Sequence, residues 1–149
     1  MLQQAVALAA DNAEHGQLPF GALVVRDGVV VAEGVNTALA DLEPTAHAEV
    51  VAIRRACASL RTLDLSGATV VSSCEPCALC LATAAAVGIT EIAYAAPKEL
   101  VPDLGYPGPD GSVSGLLDDA VRAAHPAGLR HVETPGAATP FDRYLAARS

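Results

Sequence analysis

Four residues between positions 47 and 80 have the types and spacing to hold a metal ion and move a proton beside it. His47 and Glu49 lie in Thr45-Ala46-His47-Ala48-Glu49, and Cys77 and Cys80 lie in Cys74-Glu75-Pro76-Cys77-Ala78-Leu79-Cys80. Imidazole and thiolate are preferred zinc ligands, and a catalytic zinc keeps three protein ligands and one open position. His47, Cys77 and Cys80 meet that count. Such an ion brings the pKa of a bound water to roughly 7. Glu49 is not needed as a ligand and is placed to take up a proton and return it to a reacting nitrogen, the work of a general acid–base. Taken alone, the Cys-x-x-Cys pair would serve equally as a redox pair or a structural zinc half-site. The His-x-Glu upstream favours a catalytic Zn²⁺. Of the two spare thiols, Cys57 falls on the apolar side of the helix after His47 and reads as core. Cys74 stands at a strand end beside the site.

The elements that must position these groups follow from their spacing. Residues three apart on an α-helix are separated by about 60°, so Cys77 and Cys80 can face one point. Pro76 suits the first turn of that helix, and a helix N-terminus favours thiolates. Residues two apart are rotated by about 200°, so His47 and Glu49 converge only on a point beyond a helix start. Pro44-Thr45 predicts that start, with Thr45 as N-cap. Two helix starts then meet at one ion.

Around them the pattern predicts a helix over 2–14, with Leu2, Val6, Ala9, Ala10 and Ala13 on one stripe. Two strands, Phe20 to Val25 and Val29 to Val35, flank the hairpin turn Asp27-Gly28. A polar connection, Thr37 to Pro44, leads to a helix from Thr45 to Leu60 with Val50, Ile53, Ala56, Cys57 and Leu60 buried. A third strand, Ala68 to Ser72, precedes a helix from Cys77 to Val87 that reads as buried on most sides, and Glu91 to Ala96 makes a fourth strand. Strand–helix–strand spacing implies parallel pairing beyond the hairpin. Pro97 to Gly111, rich in Pro and Gly, reads either as a lid or as a surface excursion. A helix over 112–124, a short strand Leu129 to Val132 and a terminal helix Pro140 to Arg148 complete the chain, with His125 and His131 as structural or surface histidines.

At 149 residues the chain is expected to be one domain, residues 1–149. Its formal net charge is −8, and its nine basic residues are scattered, which weighs against a nucleic-acid partner. Aromatics are 3% of residues with no Trp, leaving few platforms for stacking a single strand. No apolar run approaches a bilayer span, and the apolar N-terminus carries no Lys or Arg before Arg26, unlike a secretory leader. Four cysteines, two of them committed to metal, suit a reducing, cytoplasmic setting. A small-molecule substrate is expected, without nucleic acid or membrane.

The pattern His-x-Glu … Pro-Cys-x-x-Cys, with Pro19-Phe20-Gly21-Ala22, Asn36, Pro44 to Val50 and Ser73 to Leu81, resembles the cytidine and deoxycytidylate deaminase superfamily. Within it the likeness is greatest to bacterial guanine deaminases. tRNA adenosine deaminases share the Pro-Thr-Ala-His-Ala-Glu run. The resemblance covers roughly residues 17–96. It implies an α/β fold, a three-layer α/β/α cytidine-deaminase-like architecture with a mixed five-stranded central sheet, commonly assembled as a homodimer. It makes His47, Cys77 and Cys80 the zinc ligands and Glu49 the proton shuttle. It also implies substrate contacts from Asn36, the Ala48 N–H, the carbonyl of Ser73 or Cys74, and Phe20 packed on the base.

The chain departs from the guanine branch twice. Where that branch has an acidic pair after the fourth strand, this chain reads Gly105-Tyr106-Pro107-Gly108, with Asp103 and Asp110 nearby. Pro140-Phe141 resembles the start of a C-terminal aromatic element that closes the site. The implied activity is hydrolytic deamination of a guanine-like purine. Cytosine or nucleoside deamination and tRNA adenosine deamination are the enzymatic alternatives. A zinc-stabilised interaction module is the non-enzymatic one, and it has no need of the intact Glu49.

Overall fold

The hairpin turn forms one edge of the sheet. Asp27 and Gly28 both adopt left-handed backbone, with φ of 53° and 75°, as a two-residue type I′ turn requires. In the computed structural model, which describes residues 1–105, 119–121, 123 and 128–149, this turn joins β1 (Gly21–Arg26) to β2 (Val29–Val35). Their antiparallel register runs from Gly21↔Val35 to Arg26↔Val29, with a bulge between Val24 and Val25.

The sheet is completed by β3 (Thr69–Cys74), β4 (Glu91–Ala96) and β5 (Gly128–His131), in the order β2-β1-β3-β4-β5. β3–β4 and β4–β5 are parallel, as expected. The pairing of β1 with β3 is antiparallel, Ala22 opposite Ser72, which corrects the expectation of parallel pairing immediately past the hairpin. The chain leaving β2 crosses over β1, so β3 runs parallel to β2 but lies beside β1.

Helices cover both faces. On one lie α1 (Leu2–Glu14) and α5 (Thr139–Ala147), on the other α3 (Ala48–Leu60) and α4 (Ala78–Ala86), with a short α2 (Ala38–Asp41) leading into α3. Successive strand residues point to opposite faces, and β1 shows it directly. Ala22 and Val24 pack with Ala48, Ala52, Ile53 and Leu81 of the α3/α4 layer. Leu23 and Val25 pack with Ala5 of α1. Burying each such Leu, Val or Ile side chain contributes about 1.5–3 kcal/mol. Gly34 of β2 allows the closest approach of the layers: a Cβ there would sit 2.3 Å from the Ala48 carbonyl oxygen and 2.5 Å from the Ala52 nitrogen.

Three local expectations are corrected. Helix α3 begins at Ala48 with His47 as N-cap, not at Thr45. The Glu43 carboxylate accepts both the N–H and the hydroxyl of Thr45, at 2.9 and 2.8 Å, and holds that residue in a preceding turn. Leu60 is 39% exposed, at the C-terminal end of α3. Helix α4 buries only Cys80, Leu81 and Ala84, and its alanine-rich outer side faces solvent. Of the segment 112–124, Asp119 to Val121 and Ala123 are helical and the remainder lies outside the described residues, as do His125 and the second half of the 97–111 segment. Lys98–Leu100 forms one 3-10 turn. Among the described residues no helix is long and apolar enough to cross a membrane.

Candidate metal centre

His47 ends the turn before α3, and Cys77 ends the turn before α4. Both are N-caps with extended backbone, ψ 154° and 175°. The two helix starts therefore face each other, and Cys80 follows one turn into α4. Cys77 Sγ lies 3.4 Å from His47 Nδ1, Cys80 Sγ lies 3.6 Å from the same nitrogen, and the sulfurs are 3.7 Å apart. The edges of a tetrahedron with Zn–S of about 2.3 Å and Zn–N of about 2.0–2.1 Å are roughly 3.8 Å for S···S and 3.6 Å for N···S. The three atoms thus stand at the spacing of ligands around one zinc ion, and the donor set fits that metal. Donation from Cys80 and His47 holds the Cys77 thiol down to about 4. Cys80, as the donor of that pair and deeply buried, is shifted up.

Glu49, second residue of α3, is 7% exposed. Its Oε1 accepts the Ser72 hydroxyl at 2.8 Å, and its Oε2 lies 3.2 Å from Cys80 Sγ. Burial raises the carboxyl above its ordinary value, against the hydrogen bonds that favour the carboxylate.

These groups form one end of a cavity of about 320 Å³, within the usual range for small-molecule sites. Phe20, Asn36, Ala48 and Cys74 line it, with Leu18, Val101 and Leu104 supplying apolar wall. Asn36 is 3% exposed. Its Oδ1 accepts the Ala38 N–H at 3.0 Å, and the residue lines the cavity. Phe20 meets Phe141 edge to face, centroids 6.0 Å apart. Ser73 does not line the cavity. Its hydroxyl accepts the Gly21 N–H at 3.0 Å and ties β3 to the start of β1. Burial pushes the Cys74 thiol up to about 12, and Cys74 stands outside the donor group formed by His47, Cys77 and Cys80.

Residues 1–96 match the family of the cytidine and deoxycytidylate deaminase zinc-binding region. The chain belongs to this family. Among its relatives, guanine deaminase of Bacillus subtilis is 47% identical over 81 residues, 54% of this chain and 52% of that protein. A crystal structure of guanine deaminase from B. subtilis superposes with a TM-score of 0.65 at 31% identity, covering 97% of this chain and 91% of the other. A structure from work on A-to-I editing by tRNA:A34 deaminases at the wobble position superposes at 0.70 with 26% identity, covering 95% and 96%. The tRNA(Ile)-lysidine synthase of Deinococcus radiodurans is 41% identical over 117 residues, 78% of this chain but 19% of that protein. The chain thus matches about half the length of the guanine deaminase and a fifth of the synthase.

Within this deaminase-family site, residue types alone did not single out several contributors. Ser72 touches Glu49. Asn12 of α1 donates to the Leu18 and Asn36 carbonyls, at 2.8 and 2.9 Å. Glu75 accepts the Lys98 N–H at 2.9 Å and pins the loop after β4 against the cavity mouth. Apart from Asn12 and Leu18, six residues apart, these partners are more than twenty residues apart in sequence. Of the two acidic residues weighed as substitutes for the missing pair, Asp103 accepts the Gly105 N–H within its own turn, and Asp110 lies outside the described residues. Phe141 is 3% exposed and packs behind Phe20, so it backs the cavity instead of closing it. His131 stacks at a tilt on Tyr94 at the sheet edge, its Nε2 3.1 Å from the Ala95 carbonyl oxygen.

Proposed function

We propose that this chain is a zinc-dependent hydrolytic deaminase of a free nucleobase or similar aminated heterocycle, with a guanine-like purine as the leading substrate. The observation that carries this is the buried Glu49 carboxyl set beside a three-donor zinc centre on the wall of one small cavity. The ligands would be His47, Cys77 and Cys80, and zinc bound there supplies Lewis acidity that brings water toward ionisation at neutral pH. The reaction exchanges an exocyclic C–NH₂ for C=O, consuming water and releasing ammonia.

Glu49 takes one proton from the attacking water and delivers it to the ring nitrogen, then takes the second from the hydroxyl left on the carbon and delivers it to the leaving amine, ending as it began. Its raised affinity for a proton suits a group that must both take and give. Asn36 offers its amide N–H to an acceptor on the heterocycle, and Phe20 with Leu104 supplies apolar faces for a flat ring. The backbone N–H of Ala48, at the cavity wall, is a further donor for the base edge. Support for a guanine-like substrate comes from the B. subtilis relative. A net charge of −8 leaves little attraction for the tRNA on which other relatives act.

The deciding experiment is ammonia release by zinc-loaded protein with guanine, then cytosine, nucleosides and other aminated rings. Glu49→Gln should retain zinc and lose about 10²–10⁴-fold in kcat, the usual worth of an acid–base group. Retained turnover in that variant, or no turnover of any such ring by wild type, would sink the reading.

A further inference from the structure

A buried hydroxyl on an apolar strand face needs a partner. β3 reads Thr69-Val70-Val71-Ser72-Ser73-Cys74, and Ser72 and Ser73 are 1% and 2% exposed. Ser73 is accounted for by the Gly21 N–H. Ser72 takes the opposite face of the strand, towards α3, where its Oγ lies 2.8 Å from Glu49 Oε1. The same Oγ lies 3.4 Å from the Cys74 nitrogen, a long contact in which the peptide N–H donates. The peptide N–H can only donate and the carboxylate can only accept, so the serine proton points at Glu49.

We propose that Ser72 is the positioning residue that aims the Glu49 carboxylate. It commits Oε1 to β3 and leaves Oε2, 3.2 Å from Cys80 Sγ, as the oxygen that faces the metal ligands. The terminal torsion of a glutamate is broad and roughly two-fold, so without this bond the carboxylate turns more freely about its last bond. Burial makes the anchor effective, since no water competes for the hydroxyl. The inference rests on Glu49 being the proton shuttle proposed above.

The test uses full-length zinc-loaded protein with Ser72→Ala and Ser72→Thr. Ser72→Ala should keep its zinc stoichiometry and lose about 10–100-fold in kcat, the cost of a misplaced reacting group, with KM little changed. Ser72→Thr keeps the hydroxyl and should recover most of the loss. Independently of turnover, the infrared carboxylate stretch of Glu49, isolated by subtracting the spectrum of Glu49→Gln, should shift in Ser72→Ala and return towards wild type in Ser72→Thr. Unchanged kcat in Ser72→Ala, or a fall in kcat with an unmoved band, overturns the proposal. If wild type turns over no substrate, the deaminase reading fails, and the infrared band alone then decides whether Ser72 holds Glu49.

Discussion

The contact between β2 and α3 makes the metal centre sensitive to a single methyl group placed outside it. In Gly34→Ala the new Cβ would lie 2.3 Å from the Ala48 oxygen and 2.5 Å from the Ala52 nitrogen, about 1 Å short of ordinary contact. Both obstacles are backbone, so no side-chain rotation relieves them. β2 is stitched to β1 along its whole length, so the relief falls on the first turns of α3, which carry His47, Ala48 and Glu49. Overpacking of this kind costs about 1–3 kcal/mol, or roughly 2–12 °C in Tm for a chain of this size. A zinc site tolerates ligand displacements of only about 0.2 Å, so zinc affinity should fall about 10–100-fold, the range seen when groups supporting a ligand are disturbed. Gly21→Ala is the control. Its Cβ would meet backbone of α1, 2.6 Å from the Ala5 oxygen and 2.8 Å from the Ala9 nitrogen, and should lower Tm comparably while sparing zinc affinity. Thermal unfolding and competitive zinc titration of the two variants provide the measurement. Equal zinc affinities at comparable loss of stability would refute the idea that this layer contact sets the metal geometry.

Two further outcomes follow from the packing and the surface. Phe141→Ala removes a core ring that also backs Phe20; it should cost about 3–5 kcal/mol in urea unfolding and raise KM more than it lowers kcat, and an unchanged KM would separate the two rings. Asp64 accepts hydrogen bonds from the Ser66 side chain and N–H, which lower its pKa from 3.8. Its contribution is therefore full above that value and lost as pH falls through the lower folded one. The stability deficit of Asp64→Asn should be present at neutral pH and vanish in acid, and a deficit independent of pH would contradict the assignment.

What could be read from the sequence was whatever depended on neighbours in the chain. The hairpin at Asp27-Gly28, the strand Glu91–Ala96 and the helix Leu2–Glu14 carry their own punctuation and periodicity. The metal centre was legible because His47 with Glu49, and Cys77 with Cys80, each sit within one turn of chain, so only the meeting of the two segments needed inferring. Thr45 misled because a good capping residue had a better local partner in Glu43. Ser72 and Asn12 carry no such signature. Ser72 matters through Glu49 and Asn12 through Asn36, contacts that exist only once distant segments are brought together. A serine in an apolar strand is ambiguous until its face is known.

The same distinction divides the cavity. The reacting end is built from two helix starts and the end of β3, with its geometry held by short-range turns, by Ser72 and by close backbone packing at Gly34. The opposite wall is apolar: Leu18, Phe20, Val101 and Leu104 come from loops and strand ends, backed by Phe141 and Tyr144 of α5. Apolar walls tolerate volume-conserving exchange at under about 1.5 kcal/mol, whereas zinc ligands tolerate almost none. Sequence changes on that wall can therefore alter which ring fits without touching the groups that move protons. Exchanges at Val101 and Leu104 should accordingly redistribute kcat/KM among aminated rings while leaving zinc affinity at its wild-type value.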